Sequence, residues 1–425
     1  MRLIRALKKL KAFQGLTEQE LAWVLYDVGN SAYTMLACSL IPIWFKSIAV
    51  GHAPGQISSD NATAYYSLAI SIVTVAVALL GPVLGALADH KDKKRMYFTS
   101  AAALGMIFCV LTGFAWSWLL FLILFVVTKI CYSASLTIYD SMLGDITTED
   151  RMDEVSSNGF AWGYLGSCIP FLIALIAYVL GPDMVGLIPA LLSRGIGVFV
   201  TAAWWLMVTV PLLLDYTQKN YSSGESASVG AAFRKIFGTL RHIALHDKKV
   251  LFFLIAFFLY IDGVGTIIDN CINIGTDLNL NTVGQVIFLL TQVVAFGGSL
   301  VFAKLSKKYT TAQLILVCIA GYFCVCLYAL TLKNLLHFAI LAFGVGCFQG
   351  SIQSLSRSYY GRIIPKNESN EYFGFFDIFG KFADFFGPLI VSFCAFVFGT
   401  STYGILALLV LFVIGYLLLR KAPEA

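Results

Sequence analysis

Apolar residues in this chain come in blocks of about twenty, each closed by a polar or charged loop. An α-helix rises ~1.5 Å per residue, so about 20 apolar residues cross a hydrocarbon core of ~30 Å. The blocks predict twelve spans, at roughly 21–48, 62–88, 96–116, 118–142, 156–180, 190–214, 249–274, 281–304, 311–331, 335–360, 371–398 and 401–420. A transmembrane barrel would instead alternate apolar and polar residues over ~10-residue segments. The expected class is an all-α polytopic membrane protein. Its expected parts are an N-tail (1–20), a first six-helix half (21–214), a linker (215–248), a second half (249–420) and a C-tail (421–425).

Composition agrees. Hydrophobic residues make up 59%, charged residues 12%, and mean hydropathy is +0.81; a soluble domain is about 25% charged. The Lys and Arg residues fall on one set of loops. With both termini cytoplasmic, 23 lie on the cytoplasmic side and 2, Lys46 and Lys333, on the other. The positive-inside rule therefore predicts both tails in the cytoplasm. The N-tail, Met1 to Phe13, interleaves Leu3, Ile4, Ala6, Leu7 and Leu10 with five bases, and predicts a short amphipathic helix on an anionic membrane surface. The ten Cys lie in apolar runs and read as packing residues, with no disulfide framework and no metal site expected.

The halves repeat. Tyr139-Asp140-Ser141, Gly144-Asp145-Ile146 and Glu154 match Ser356-Arg357-Ser358, Gly361-Arg362-Ile363 and Glu371 at a constant offset of 217, and Gly163 falls on Gly380. Six spans repeated across a basic linker are the layout of a secondary transporter with parallel halves. Mates related by a pseudo-two-fold axis face each other. Asp140 is therefore expected to pair with Arg357, and Asp145 with Arg362, as a gate between the halves.

Charges inside spans cost at least ~2.5–3.5 kcal/mol each and mark functional candidates. Asp27 lies in span 1, Lys129 in span 4, and Asp262 and Asp269 in span 7. Arg357 ends span 10, a turn or two below Gln349 and Gln353. Asp377, Lys381 and Asp384 in span 11 are spaced so that they can neutralise one another along one helix face.

Between spans 2 and 3 stands Gly85-Ala-Leu-Ala-Asp89-His-Lys91-Asp-Lys93-Lys94-Arg95. It resembles the major facilitator signature. A carboxylate there can bind the positive N-terminus of a neighbouring helix, and the expected target is the start of span 11 near Glu371. Asp92 stands where that family usually has glycine. Three more stretches narrow the resemblance. They are Trp23-Val-Leu25-Tyr26-Asp27-Val-Gly-Asn30-Ser31, then Gly159-Phe-Ala-Trp162-Gly163-Tyr164-Leu165-Gly166, then Gln349-Gly350-x-x-Gln353-Ser-Leu-Ser356-Arg357-Ser358 with Gly380-Lys381. Together they look like the autophagy-related vacuolar amino-acid effluxers and their bacterial relatives. Asp377, where that family tends to be neutral, and Asp384 depart from its pattern.

The resemblance implies the major facilitator fold, with a cavity lined by spans 1, 4, 7 and 10. In that frame the expected substrate-binding residues are Tyr26, Asp27, Asn30, Lys129, Asp262, Thr266, Asp269, Gln349, Gln353 and Arg357. The expected gating residues are Gly85, Asp89, Arg95, Asp140, Asp145, Arg362 and Lys381. Carboxylates for an ammonium, beside Arg357 and Lys129 for a carboxylate, suit a zwitterion such as an amino acid. Drug-like cations, sugars and peptides stay open as rival solutes, as does a transporter-like sensor or scaffold that moves nothing. There is no Gly-x-x-x-x-Gly-Lys-Ser/Thr loop for ATP and no Ser/His/Asp or zinc-ligand constellation for an enzyme. The expected partners are a small solute, the bilayer and protons as a candidate coupling ion. The expected state is a monomer without cofactor or nucleic acid. The expected site is the inner or plasma membrane of a bacterium, or the vacuolar membrane of a fungus.

Overall fold

The computed structural model describes residues 2–51, 55–182, 184–222, 238–277, 281–331, 334–398 and 402–421. Twelve long helices run in order: α1 (Glu18–Ala49), α2 (Ser59–Ala88), α3 (Lys93–Gly113), α4 (Trp118–Ser141), α5 (Met152–Leu180) and α6 (Ala190–Asp215), then α7 (Lys248–Asp277), α8 (Asn281–Leu305), α9 (Thr311–Ala329), α10 (Leu335–Ile363), α11 (Ser369–Phe398) and α12 (Thr402–Lys421). Among the described residues, ten helices are long and apolar enough to cross a membrane. Helices are the natural solution here, because hydrocarbon offers no partner for an unpaired backbone amide. Pro42, Pro82, Pro170 and Pro211 sit inside α1, α2, α5 and α6, where neighbouring helices can cover the freed carbonyls.

Two apolar cores form. One joins buried residues from Ile4 to Tyr216. The other joins residues from Ile243 to Leu419, together with Val83 and Ala86 from the foot of α2. The halves meet along two seams, α2 on α11 and α5 on α8 and α10. Both seams close where the loops between α2 and α3, α4 and α5, α8 and α9, and α10 and α11 lie. These loops mark the basic-loop end of the bundle.

Small residues allow the approach. A Cβ on Gly374 would lie 2.7 Å from the Cα of Pro82, and a Cβ on Gly85 would strike the carbonyl of Asn370. At the turn into α3, Asp92 takes a left-handed backbone, φ 61°. Glycine takes that conformation without strain, which explains why the resembled signature favours glycine there. Asp tolerates it better than most residues.

The N-tail packs partly on the helix bundle. It forms a helix over Arg2–Leu7 and a 3-10 turn over Lys11–Phe13, but Ile4, Phe13 and Leu16 are buried against the protein. The Phe13 ring lies 4.5 Å from that of Trp162 in α5. Part of its apolar face is thus taken by the helix bundle, while Leu10 and the bases Arg5, Lys9 and Lys11 stay exposed.

Candidate functional site

At the basic-loop end of the central helices, one guanidinium from the second half is seated in the first. Arg357 of α10 reaches Asp27 of α1 at 3.1 Å and Asp140 of α4 at 2.9 Å. Its Nε donates to Ser156 Oγ at 2.9 Å and its Nη2 to the Ser156 carbonyl at 3.1 Å, both on α5. Its central carbon lies 4.6 Å from the Trp23 ring and 4.5 Å from the Phe160 ring, close enough for cation–π attraction. Gly159 makes room: a Cβ there would lie 2.5 Å from Asp27 Oδ2 and 3.2 Å from Arg357 Nη2. Trp23 and Tyr139 lock the wall, each donating to the other's carbonyl, at 3.1 and 3.2 Å. Two carboxylates around one guanidinium repay its desolvation only because its hydrogen-bonding positions are met this closely.

Helical spacing carries the site onward. Asn30, one turn above Asp27, donates to Asp27 Oδ1 at 3.1 Å. Thr34, a further turn on, is exposed and shares a 2.6 Å hydrogen bond with Tyr132 of α4. Cys38 is exposed one turn later. Lys129 is half-buried, its ammonium 5.8 Å from the Tyr132 ring. Gln349 and Gln353 are half-buried on the Arg357 face of α10. Thr34 and Cys38 escaped the sequence reading, although their spacing from Asp27 places them on its face.

Other expected residues lie elsewhere. Tyr26 is buried between α1 and α4, 2.7 Å from Ser135. Asp262 and Thr266 are buried within the second half, and a Cβ on Gly387 of α11 would lie 2.7 Å from Asp262 Oδ1. The side chains of Asp269 and Asp384 fall outside the described residues. Asp377 accepts from Thr137 of α4 at 3.3 Å, so it engages the other half of the molecule. Lys381 is half-buried on α11.

Two corners flank the central node. In the α2–α11 corner, Asp89 Oδ1 accepts from the Asn370 amide at 3.0 Å and from Asn370 Nδ2 at 2.7 Å, and Oδ2 accepts from the Glu371 amide at 3.0 Å. A carboxylate thus caps the positive end of α11. Burial pushes the Asp89 carboxyl up to about 6, against the pull of Lys94 and the α11 amides. Lys94 is the buried base of this loop, 3.1 Å from Asp145 and 3.2 Å from Ser369 Oγ; Arg95 is exposed. In the α5–α10 corner, Arg362 pairs with Asp153 at 2.9 Å, and Thr311 donates to Asp153 at 2.6 Å. Lys307–Glu154 at 3.1 Å and Lys366–Glu149 at 2.5 Å lie nearer the surface.

The expected Asp145–Arg362 pair is therefore not formed. Asp145 stays in its own half, held by Lys94, by Tyr216 at 2.6 Å and by the Asn220 amide at 2.9 Å. Arg362 turns to Asp153. Only mates near the pseudo-two-fold axis can meet, and Asp140 and Arg357 are such a pair; mates farther out are carried into opposite corners.

The vacuole effluxer Atg22-like family model matches residues 17–422. The chain belongs to the Atg22-like family. Among curated relatives of this Atg22-like protein, the uncharacterized MFS-type transporter YxiO of Bacillus subtilis is 38% identical over 412 residues, covering 96% of this chain and 95% of that one. Autophagy-related protein 22 of Eremothecium gossypii is 23% identical over 376 residues, covering 79% and 72%. Among solved structures, the human organic anion transporter MFSD10 (TETRAN) superposes with a TM-score of 0.70 at 13% identity, covering 95% of this chain and 99% of that one. The Atg22-like chain has the major facilitator fold and is a membrane transporter of that superfamily.

Proposed function

We propose that this Atg22-like protein is a secondary active transporter that moves a small polar solute, an amino acid or similar zwitterion, by rocking its two halves. The observation that carries the reading is the polarity of the contact between them. Arg357, Arg362, Lys307 and Lys366 of the second half all pair with carboxylates of the first, at one end of the bundle. Such a zipper closes one face and can be undone as a unit. With the basic loops in the cytoplasm, the conformation is outward-facing. Asn30, Thr34, Lys129, Gln349 and Gln353 supply polar groups above the closed node. Lys129 suits a solute carboxylate, and the amides and hydroxyl suit its ammonium. Protons are the proposed coupling ion, since opening the node strips Asp27 and Asp140 of their shared counter-ion.

The test is uptake of a radiolabelled amino-acid panel into proteoliposomes, with and without a pH gradient. The reading expects saturable uptake of at least one amino acid, steeper with the gradient. Indifference to the whole panel would sink the substrate assignment, and gradient-independent uptake would sink the coupling.

A further inference from the structure

Among the described residues, the groups that hold Arg357 all belong to the other half of the molecule. Asp27 and Trp23 come from α1, Asp140 from α4, and Ser156 and Phe160 from α5. Together they make a binding site for a planar cation that is complete without any residue of the second half. Two carboxylates and a carbonyl meet the N–H edges, aromatic rings meet the faces, and Gly159 leaves the space open. Arg357 is in this sense a tethered ligand.

When the halves part at the basic-loop end, α10 carries Arg357 away and the five groups remain together. They then hold two carboxylates with no cation, walled by Trp23 and Phe160, facing the side that has just opened. That arrangement is unstable until a monocation takes the place of the guanidinium. We propose that the vacated socket is a binding site for the guanidinium group of a solute, which exchanges with Arg357 during the transport cycle. This rests on the rocking-halves reading above and narrows its substrate class to solutes carrying a guanidinium. The charge is conserved across the exchange: one monocation leaves the socket and one enters. The geometry favours a planar cation, because the Arg357 N–H groups point to fixed oxygens at 2.9–3.1 Å. A tetra-alkylammonium has no N–H to offer them.

The test is chemical rescue. Purified Arg357→Ala protein is heated in detergent with low-millimolar guanidinium chloride, methylguanidinium, tetramethylammonium or sodium chloride. Guanidinium and methylguanidinium should raise the Tm by several degrees over sodium chloride, with tetramethylammonium inactive and wild type unmoved. The triple variant that adds Asp27→Asn and Asp140→Asn should lose the shift. If Arg357→Ala does not fold, Arg357→Gln, whose amide can still reach Ser156, is measured the same way, and guanidinium present during purification should raise the yield of both. Equal shifts for all four salts, no shift in either variant, or a shift that survives in the triple variant would overturn the proposal. A guanidinium shift without amino-acid uptake by wild type keeps the socket and removes the amino-acid reading. Amino-acid uptake with no shift does the reverse.

Discussion

The two corners of the basic-loop end are built from the same repeat and held by different chemistry. Ser141 meets Asn370 in one, and Ser358 meets Asp153 in the other; these contacts are mates at the offset of 217. The α2–α11 corner is held by Asp89 on backbone amides and by Lys94, which joins the buried Asp145 of its own half to Ser369 Oγ of α11. The α5–α10 corner is held by ion pairs that grow more exposed outward, from Arg362–Asp153 to Lys366–Glu149, whose side chains are 47% and 56% exposed. The second repeat has Ser306 where the first has Asp89, and Asp153 where the second has Asn370. The carboxylate has changed sides. One corner is a rigid, water-excluding clamp, and the other is a latch that solvent and salt can reach.

The largest effect should come from the buried pair. Lys94→Met or Asp145→Ala leaves one charge buried and unpaired, which costs about 3–5 kcal/mol. Thermal unfolding should show it, and alkylation of a cysteine placed at Ser141 should accelerate. Next comes Asp89→Ala, which strands the first amides of α11 at a cost of about 2–3 kcal/mol.

Asp89 also gives the clamp a pH dependence. Its carboxyl titrates at about 6 when buried, against an ordinary 3.8 once opened to water. The closed corner therefore binds a proton more readily than the open one. Between those values, raising the pH weakens the clamp; below 4 and above 6 the profile is flat. Asp89→Asn should remove the slope, and an unchanged slope would place it elsewhere.

In the latch, Arg362→Ala should cost about 1–3 kcal/mol. The swap Arg362→Asp with Asp153→Arg should recover part of it, whereas Arg362→Asp with Asp145→Arg should recover nothing. Rescue by the second swap would contradict the corner assignment. The smallest effects belong to Lys307→Ala and Lys366→Ala, under about 1 kcal/mol. They should vanish near 1 M salt, where the screening length falls to about 3 Å, while the clamp variants keep theirs.

Much of this was legible in the chain. Gly85 and Asp89 revealed the clamp through their resemblance to the major facilitator signature, whose carboxylate can bind the positive end of a neighbouring helix, and the repeat revealed Asp140–Arg357. The Asp145 partner was not legible, since a repeat gives equivalence but not distance from the axis. Lys94 was hidden in a run of bases, and burial rather than residue type separates it from Arg95. Asp153 stood beside the more conspicuous Glu154. Trp23 and Phe160 stood in the resembled motifs without a role until Arg357 lay against them.

Rocking of the two halves requires this end to open for transport. Its most direct test is a disulfide between cysteines placed at Ser141 and Asn370, in a chain otherwise free of cysteine and reconstituted in proteoliposomes. Solute flux should stop on oxidation and return on reduction, with binding from the opposite face retained throughout. Undiminished flux through the cross-linked protein would contradict the rocking of the two halves.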